Sequence, residues 1–313
     1  YVQIVTGLGG WISALLIVAF VMVSIHLTIG DDDIGLPITV IGFVLYVAAL
    51  ALTRFWPGGL FRHHFVGALA AAGAIAAALG AAIAFEEVWP GVIVALPLAA
   101  LTAWFCRDRI LQFLVTGAAA LWLVVWLVSD DTAYLLDILS LPTLLGALLY
   151  LWPPPRDVRG TALVLLLTLP VAAILFDYSE AAILIGEIGR GGWVARAVHL
   201  LLFLALLWRY QQSRGAASAM TETVAFAIAA VLISLLLPPG GSAALLLMML
   251  AFVAGSRPLA LIGAGFQAYF LWRFYYDLNA TLLEKSLLLA GTGVALLLLY
   301  GWWELARRRR IAQ

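Results

Sequence analysis

"FVGALAAAGAIAAALGAAIAF", Phe65 to Phe85, contains no charged side chain anywhere along its length. About twenty apolar residues are what a helix needs to cross roughly 30 Å of hydrocarbon, so this stretch reads as a membrane span. The composition of the whole chain agrees. Of 313 residues, 65% are hydrophobic and only 11% charged, with a mean hydropathy of +1.08. That lies outside the range of soluble globular domains. The formal net charge is zero, so no basic excess argues for nucleic acid. The single cysteine, Cys106, excludes an internal disulfide and a thiolate metal cage. The fold class expected is an all-α polytopic bundle of ten to twelve transmembrane helices forming one integral membrane domain over residues 1–313. The first residue is Tyr1 rather than methionine, so a preceding segment is expected.

Twelve apolar stretches qualify as spans: 8–29, 34–53, 65–85, 91–105, 110–128, 133–151, 161–176, 193–208, 224–237, 242–255, 259–272 and 281–303. Several are short. The pair flanking Pro238-Pro239-Gly240-Gly241 reads equally as two crossings or as a re-entrant hairpin, which leaves the parity unchanged. Basic residues are retained in the cytoplasm. Alternate connections carry Arg54 and Arg62, Arg107 and Arg109, Arg156 and Arg159, Arg209 and Arg214, Arg257, and the tail Arg307 to Arg310. The intervening ones carry Asp31, Asp32 and Asp33, then Glu86 and Glu87, Asp130 and Asp131, Asp177 and Glu180. Both termini are therefore expected in the cytoplasm. Tryptophans such as Trp56, Trp89, Trp104, Trp152, Trp193, Trp208, Trp272, Trp302 and Trp303 fall near span ends, where an indole sits half in lipid and half in water.

"LPITVIGFVLY" (Leu36 to Tyr46) and "LPTLLGALLY" (Leu141 to Tyr150) share an early proline, a central glycine and a final tyrosine, and each leads to a Trp-Pro. Three direct repeats of four helices would explain the match; so would similar boundary chemistry arising independently. Repeats matter because transporters are often built from them.

"FYYDLNATLLEKSLLLAGTGVALLLLYGWWE", Phe274 to Glu304, resembles the closing signature of a polytopic inner-membrane family of Gram-negative bacteria whose domain has no known function. "YVQIVTGLGGWISALLIVAF" is similar to that family's first span. The resemblance implies a bacterial inner-membrane location and two partners besides the lipid bilayer. One is a membrane-anchored protein bearing a GDYXXLXY motif, the other a related hydrophobic subunit. It implies no activity.

Ionisable residues inside spans are expensive and mark functional candidates. Here they gather toward the expected outer side: His26, Asp137, Arg196, His199, Arg273, Asp277, Glu284 and Lys285, with Asn279. Arg273 and Asp277 are four apart and pair naturally on one helix face. Thr281-Leu282-Leu283-Glu284 has capping-box form. Arg196 and His199, three apart, share a face. Should that face meet Glu284 and Lys285, the group could bind an anionic headgroup or a partner's carboxylate, or relay protons through His199. Asp137 reads as a helix-capping or water-facing acid. His63 and His64 read as headgroup contacts, and "GEIGRGG" (Gly186 to Gly192) as a loop lacking the strand and lysine of a phosphate site. Asp31, Asp32 and Asp33 suit either a hard cation or a solvated turn. No hydrolase triad, HExxH or Walker pattern supports enzyme chemistry, and no cofactor is indicated.

Two functions follow as expectations. The first is a membrane subunit docking a partner at its periplasmic face through Arg196, His199, Arg273, Asp277, Glu284 and Lys285. The second is a proton- or cation-coupled transporter, drawing on the repeats and on short spans interrupted near Pro97, Pro170 and Pro238. A water-accessible cavity reaching the bilayer midplane would favour transport; a solid core with polar groups confined to one rim would favour docking.

Overall fold

The computed structural model describes residues 34–56, 59–106, 108–129, 134–152, 157–175, 193–214 and 239–277, with residues 9, 12–14, 16, 19, 283, 286, 287, 290 and 294. The described residues form nine continuous helices and no strand: α1 (Gly35–Phe55), α2 (Leu60–Phe85), α3 (Trp89–Phe105), α4 (Arg109–Ser129), α5 (Leu135–Leu151), α6 (Arg159–Leu175), α7 (Trp193–Arg214), α8 (Pro239–Ala254) and α9 (Arg257–Asp277). The expected spans at 8–29, 224–237 and 281–303 fall mostly or wholly outside these residues. Four helices, Gly35–Phe55, Phe61–Phe85, Arg109–Ser129 and Trp193–Gln212, are long and apolar enough to cross a bilayer, and α3, α5, α6 and α8 are shorter apolar helices. Large side chains such as Phe43, Ile93, Leu121, Leu201 and Phe252 face outward. Water would not favour so much apolar surface, and lipid does. The chain reads as a membrane protein.

Two tight turns reverse the chain by the same device. Glu86, in the left-handed region at φ 56°, ends α2, with Glu87 N–H donating to the Ala82 carbonyl and Glu86 N–H to that of Ile83. Gly255, at φ 65°, ends α8 with the matching bonds from Ser256 to Ala251 and from Gly255 to Phe252. Both are Schellman caps, which satisfy carbonyls a helix end would otherwise leave bare. A proline in the first turn, Pro90 or Pro258, then starts the next helix.

Small residues hold the helices together, as they must where lipid offers no hydrophobic drive between apolar surfaces. A Cβ on Gly42 of α1 would collide with the backbone of Ala77 in α2, and one on Gly73 would lie 2.6 Å from the Tyr46 nitrogen. Gly146 of α5 plays the same part against α6, where its Cβ would lie 2.7 Å from the Leu166 nitrogen. The central glycines of the two similar stretches thus do one job, each letting its helix touch the backbone of the next. Tyr46, buried, ties α1 to α3 through its hydroxyl, 2.8 Å from the Leu98 carbonyl and 2.7 Å from Thr102 Oγ1.

Some local expectations change. Helices α3 and α6 run unbroken through Pro97 and Pro170. Each proline removes one helical N–H, a loss that neighbouring groups can absorb in a packed membrane helix. Pro238 to Gly241 read as a turn, yet α8 begins at Pro239 and its first six residues are buried. Proline suits that first position because its missing N–H has no partner there anyway.

Candidate functional site: a buried polar node

Helix polarity gathers charged groups at two opposite ends. The starts of α2, α4 and α6 meet at the first, which the arginines dominate. Asp108 accepts from the Ile110 and Leu111 amides at 2.9 and 3.4 Å, capping α4, and its other oxygen lies 2.8 Å from His63 Nδ1. Asp157 accepts from the Arg159 amide at 3.2 Å, and its second oxygen takes Arg109 Nε at 2.7 Å. That Arg109 hydrogen bond holds the Asp157 carboxyl below its ordinary value despite some burial. Gln112, fully buried, donates to the carbonyls of Cys106 and Asp157 at 2.8 and 2.7 Å. Burial and the nearby Asp108 push the Cys106 thiol up to about 11, which makes it a poor nucleophile. His63, expected at the headgroups, is thus also hydrogen-bonded to Asp108.

The second end is built differently. Asp137, in the first turn of α5, is 8% exposed, and its Oδ1 accepts from the Ala195 amide of α7 at 2.9 Å. It is a cap, as its position suggested, but for another helix 58 residues away. Ser140 Oγ donates to the Asp137 carbonyl at 2.6 Å. Arg196 and His199 both lie on the inward face of α7, 9% and 0% exposed. The Arg196 guanidinium sits 5.2 Å from the centre of the Trp193 ring, a cation–π arrangement.

His199 Nδ1 is 2.7 Å from Ser242 Oγ, and Ser242 Oγ is 3.1 Å from the Pro239 carbonyl. With the Ser242 hydroxyl donating to Pro239, His199 Nδ1–H donates to Ser242 and Nε2 is a bare acceptor; a Ser242 that donated to His199 Nδ1 instead would leave the Pro239 carbonyl without its donor. His199 Nε2 is buried without a partner, as is Arg196 Nε. Each buried polar atom left unmatched costs about 1–3 kcal/mol, so such atoms need an explanation.

Ser242 and Pro239 belong to this node although the sequence reading passed over them. The serine that follows Pro-Pro-Gly-Gly was a usable signal, since it stands in the first turn of a helix. Arg273 donates to the Tyr269 hydroxyl at 3.2 Å, one turn back along α9. Phe270 clusters with Ala244, so the antiparallel pairing of α8 and α9 puts Arg273 level with the start of α8. Glu284, Lys285, Asp31, Asp32, Asp33 and the Asp277 side chain lie outside the described residues. Among the described residues no three His, Cys, Asp or Glu side chains group closely enough to hold a metal ion.

No curated protein and no solved structure matches the chain. A family model does, over residues 1–306, nearly its whole length. The chain belongs to the family described as Domain of unknown function (DUF4401).

Proposed function

We propose that the chain is a membrane-embedded subunit that docks a partner protein at the end carrying Asp137, Arg196 and His199. The observation that best supports this is the pair of buried, unmatched nitrogens, Arg196 Nε and His199 Nε2, on adjacent turns of one helix face. A side-chain amide or hydroxyl brought in by a partner could accept from Arg196 Nε–H and donate to the bare His199 Nε2, which is why the contact is proposed at these two atoms. Arg273, level with the start of α8, stands at the same end. In this reading the node faces the periplasm from a bacterial inner membrane, and the partner is the GDYXXLXY-motif protein implied by the sequence resemblance, with the related hydrophobic subunit beside it.

A proton- or cation-coupled transporter is the weaker reading. It would need polar groups free to line a path through the middle of the bundle. Two described hydroxyls near the middle of their helices are engaged: Thr143 and Thr168 donate to carbonyls of their own helices.

The test is affinity purification from native membranes. The wild-type chain should retain a specific partner, and Arg196→Gln and His199→Phe should lose it while remaining monodisperse. A wild-type chain that retains nothing, or variants that hold the partner undiminished, would overturn the reading.

A further inference from the structure

We propose that the chain binds one anionic phospholipid in a groove between α4 and α6, with an acyl chain in the groove and the phosphate at Arg159. The groove has a volume of about 240 Å³. Val124, Val164, Thr168 and Ala172 form its buried floor, and Phe113, Leu121, Val171 and Leu175 its exposed walls. Its single hydroxyl, on Thr168, is spent on the Val164 carbonyl, so the lining presents nothing but hydrocarbon.

Two glycines make the shape. A Cβ on Gly160 would collide with the Arg109 carbonyl, so the absence of one lets α4 and α6 touch at their first turns. A Cβ on Gly117 would meet nothing within 4 Å, so that position leaves the groove open. From Phe113 to Val124 the groove follows α4 for about 17 Å, close to one leaflet of a hydrocarbon core about 30 Å thick.

Charge selects the occupant. Stepping by four residues, Arg109 stands on the stripe of Phe113, Gly117 and Leu121, and Arg159 on the stripe of Leu167, Val171 and Leu175. Both arginines therefore crown the same end of the groove. Asp157 neutralises Arg109, and Asp108 is taken by His63. Arg159 is exposed and makes no ion pair among the described residues. Arg159 thus leaves the mouth with one positive charge that no close ion pair among the described residues offsets. A basic mouth above an apolar slot fits a lipid with a negatively charged headgroup. The inference rests on the membrane assignment and is independent of the docking site at the opposite end.

Purified protein in detergent would be given phosphatidylglycerol, phosphatidylcholine or glycerol phosphate, and followed by thermal melting and native mass spectrometry. Expected are one retained phosphatidylglycerol per chain and a rise in Tm at least twice that given by phosphatidylcholine. Gly117→Leu, which has room for its side chain, should abolish retention with the lipid-free Tm unchanged. Arg159→Gln should erase the preference for the anionic lipid. Equal shifts from both lipids would overturn the proposal, as would an equal shift from glycerol phosphate alone. So would a dimer that Gly117→Leu disrupts, which would make the groove an interface between copies.

Discussion

The two ends of the bundle spend their charges in opposite ways. At the arginine end, Asp108 and Asp157 each cap a helix and bind a second side chain, His63 and Arg109, with side chains partly open to water. At the other end Asp137, Arg196 and His199 are buried, and two of their nitrogens have no partner. Unpartnered buried atoms occur at both ends, His64 Nδ1 and Gln112 Oε1 at the first and Arg196 Nε and His199 Nε2 at the second. Only at the second do they belong to a buried arginine and histidine on one helix face, which is where the docking function is proposed.

The difference can be pressed with substitutions. Asp137→Ala should have the largest effect. It strips the acceptor from the buried Ala195 amide and removes a buried carboxyl from the node, for a loss of about 3 kcal/mol in detergent unfolding. Asp137→Asn, which keeps an acceptor oxygen, should recover most of that. Asp108→Ala removes an N-cap and the partly exposed hydrogen bond to His63, and should cost about 1 kcal/mol. A loss as large as that of Asp137→Ala would erase the distinction between the ends. His199→Phe should change stability by no more than about 1 kcal/mol, because Ser242 keeps the Pro239 carbonyl and an unmatched nitrogen disappears. A heavy loss would mean that His199 is a structural member like Gln112.

The smallest effect is one of pH. The folded-state carboxyl of Asp157 lies below its ordinary value because Arg109 donates to it. Its contribution is therefore present above the unfolded value, about 3.9, and is lost as pH falls through the folded value. Unfolding followed below about pH 4 should show a small extra loss that Asp157→Asn removes. Partial exposure keeps the effect small.

Much of this architecture is legible in hydropathy alone. Helices α1 to α9 begin and end close to where runs of apolar residues do, because the same residues that favour lipid favour an unbroken helix. The spacing of Arg196 and His199 also carried their shared inward face. Pairings between distant segments were not legible. Nothing near Asp137 announces that it caps the helix starting at Trp193, and nothing near His63 announces Asp108, since tertiary contacts leave no local pattern. The start of α8 was hidden because Pro-Pro-Gly-Gly reads as a turn until burial shows it to be the first turn of a helix. The glycines of the two similar stretches were visible as a match, while their function as contact points needed the neighbouring backbone.

The most direct test compares the ends in living membranes. A photo-crosslinking side chain would be placed at the exposed positions Tyr134 and Trp193 near the node, and at Trp104 and Trp208 near the arginine end. A partner adduct from Tyr134 and Trp193, absent from Trp104 and Trp208 and lost on Arg196→Gln at unchanged Tm, is the result expected. Adducts of equal yield at both ends, or none at Tyr134 and Trp193, would contradict a docking site at the buried node.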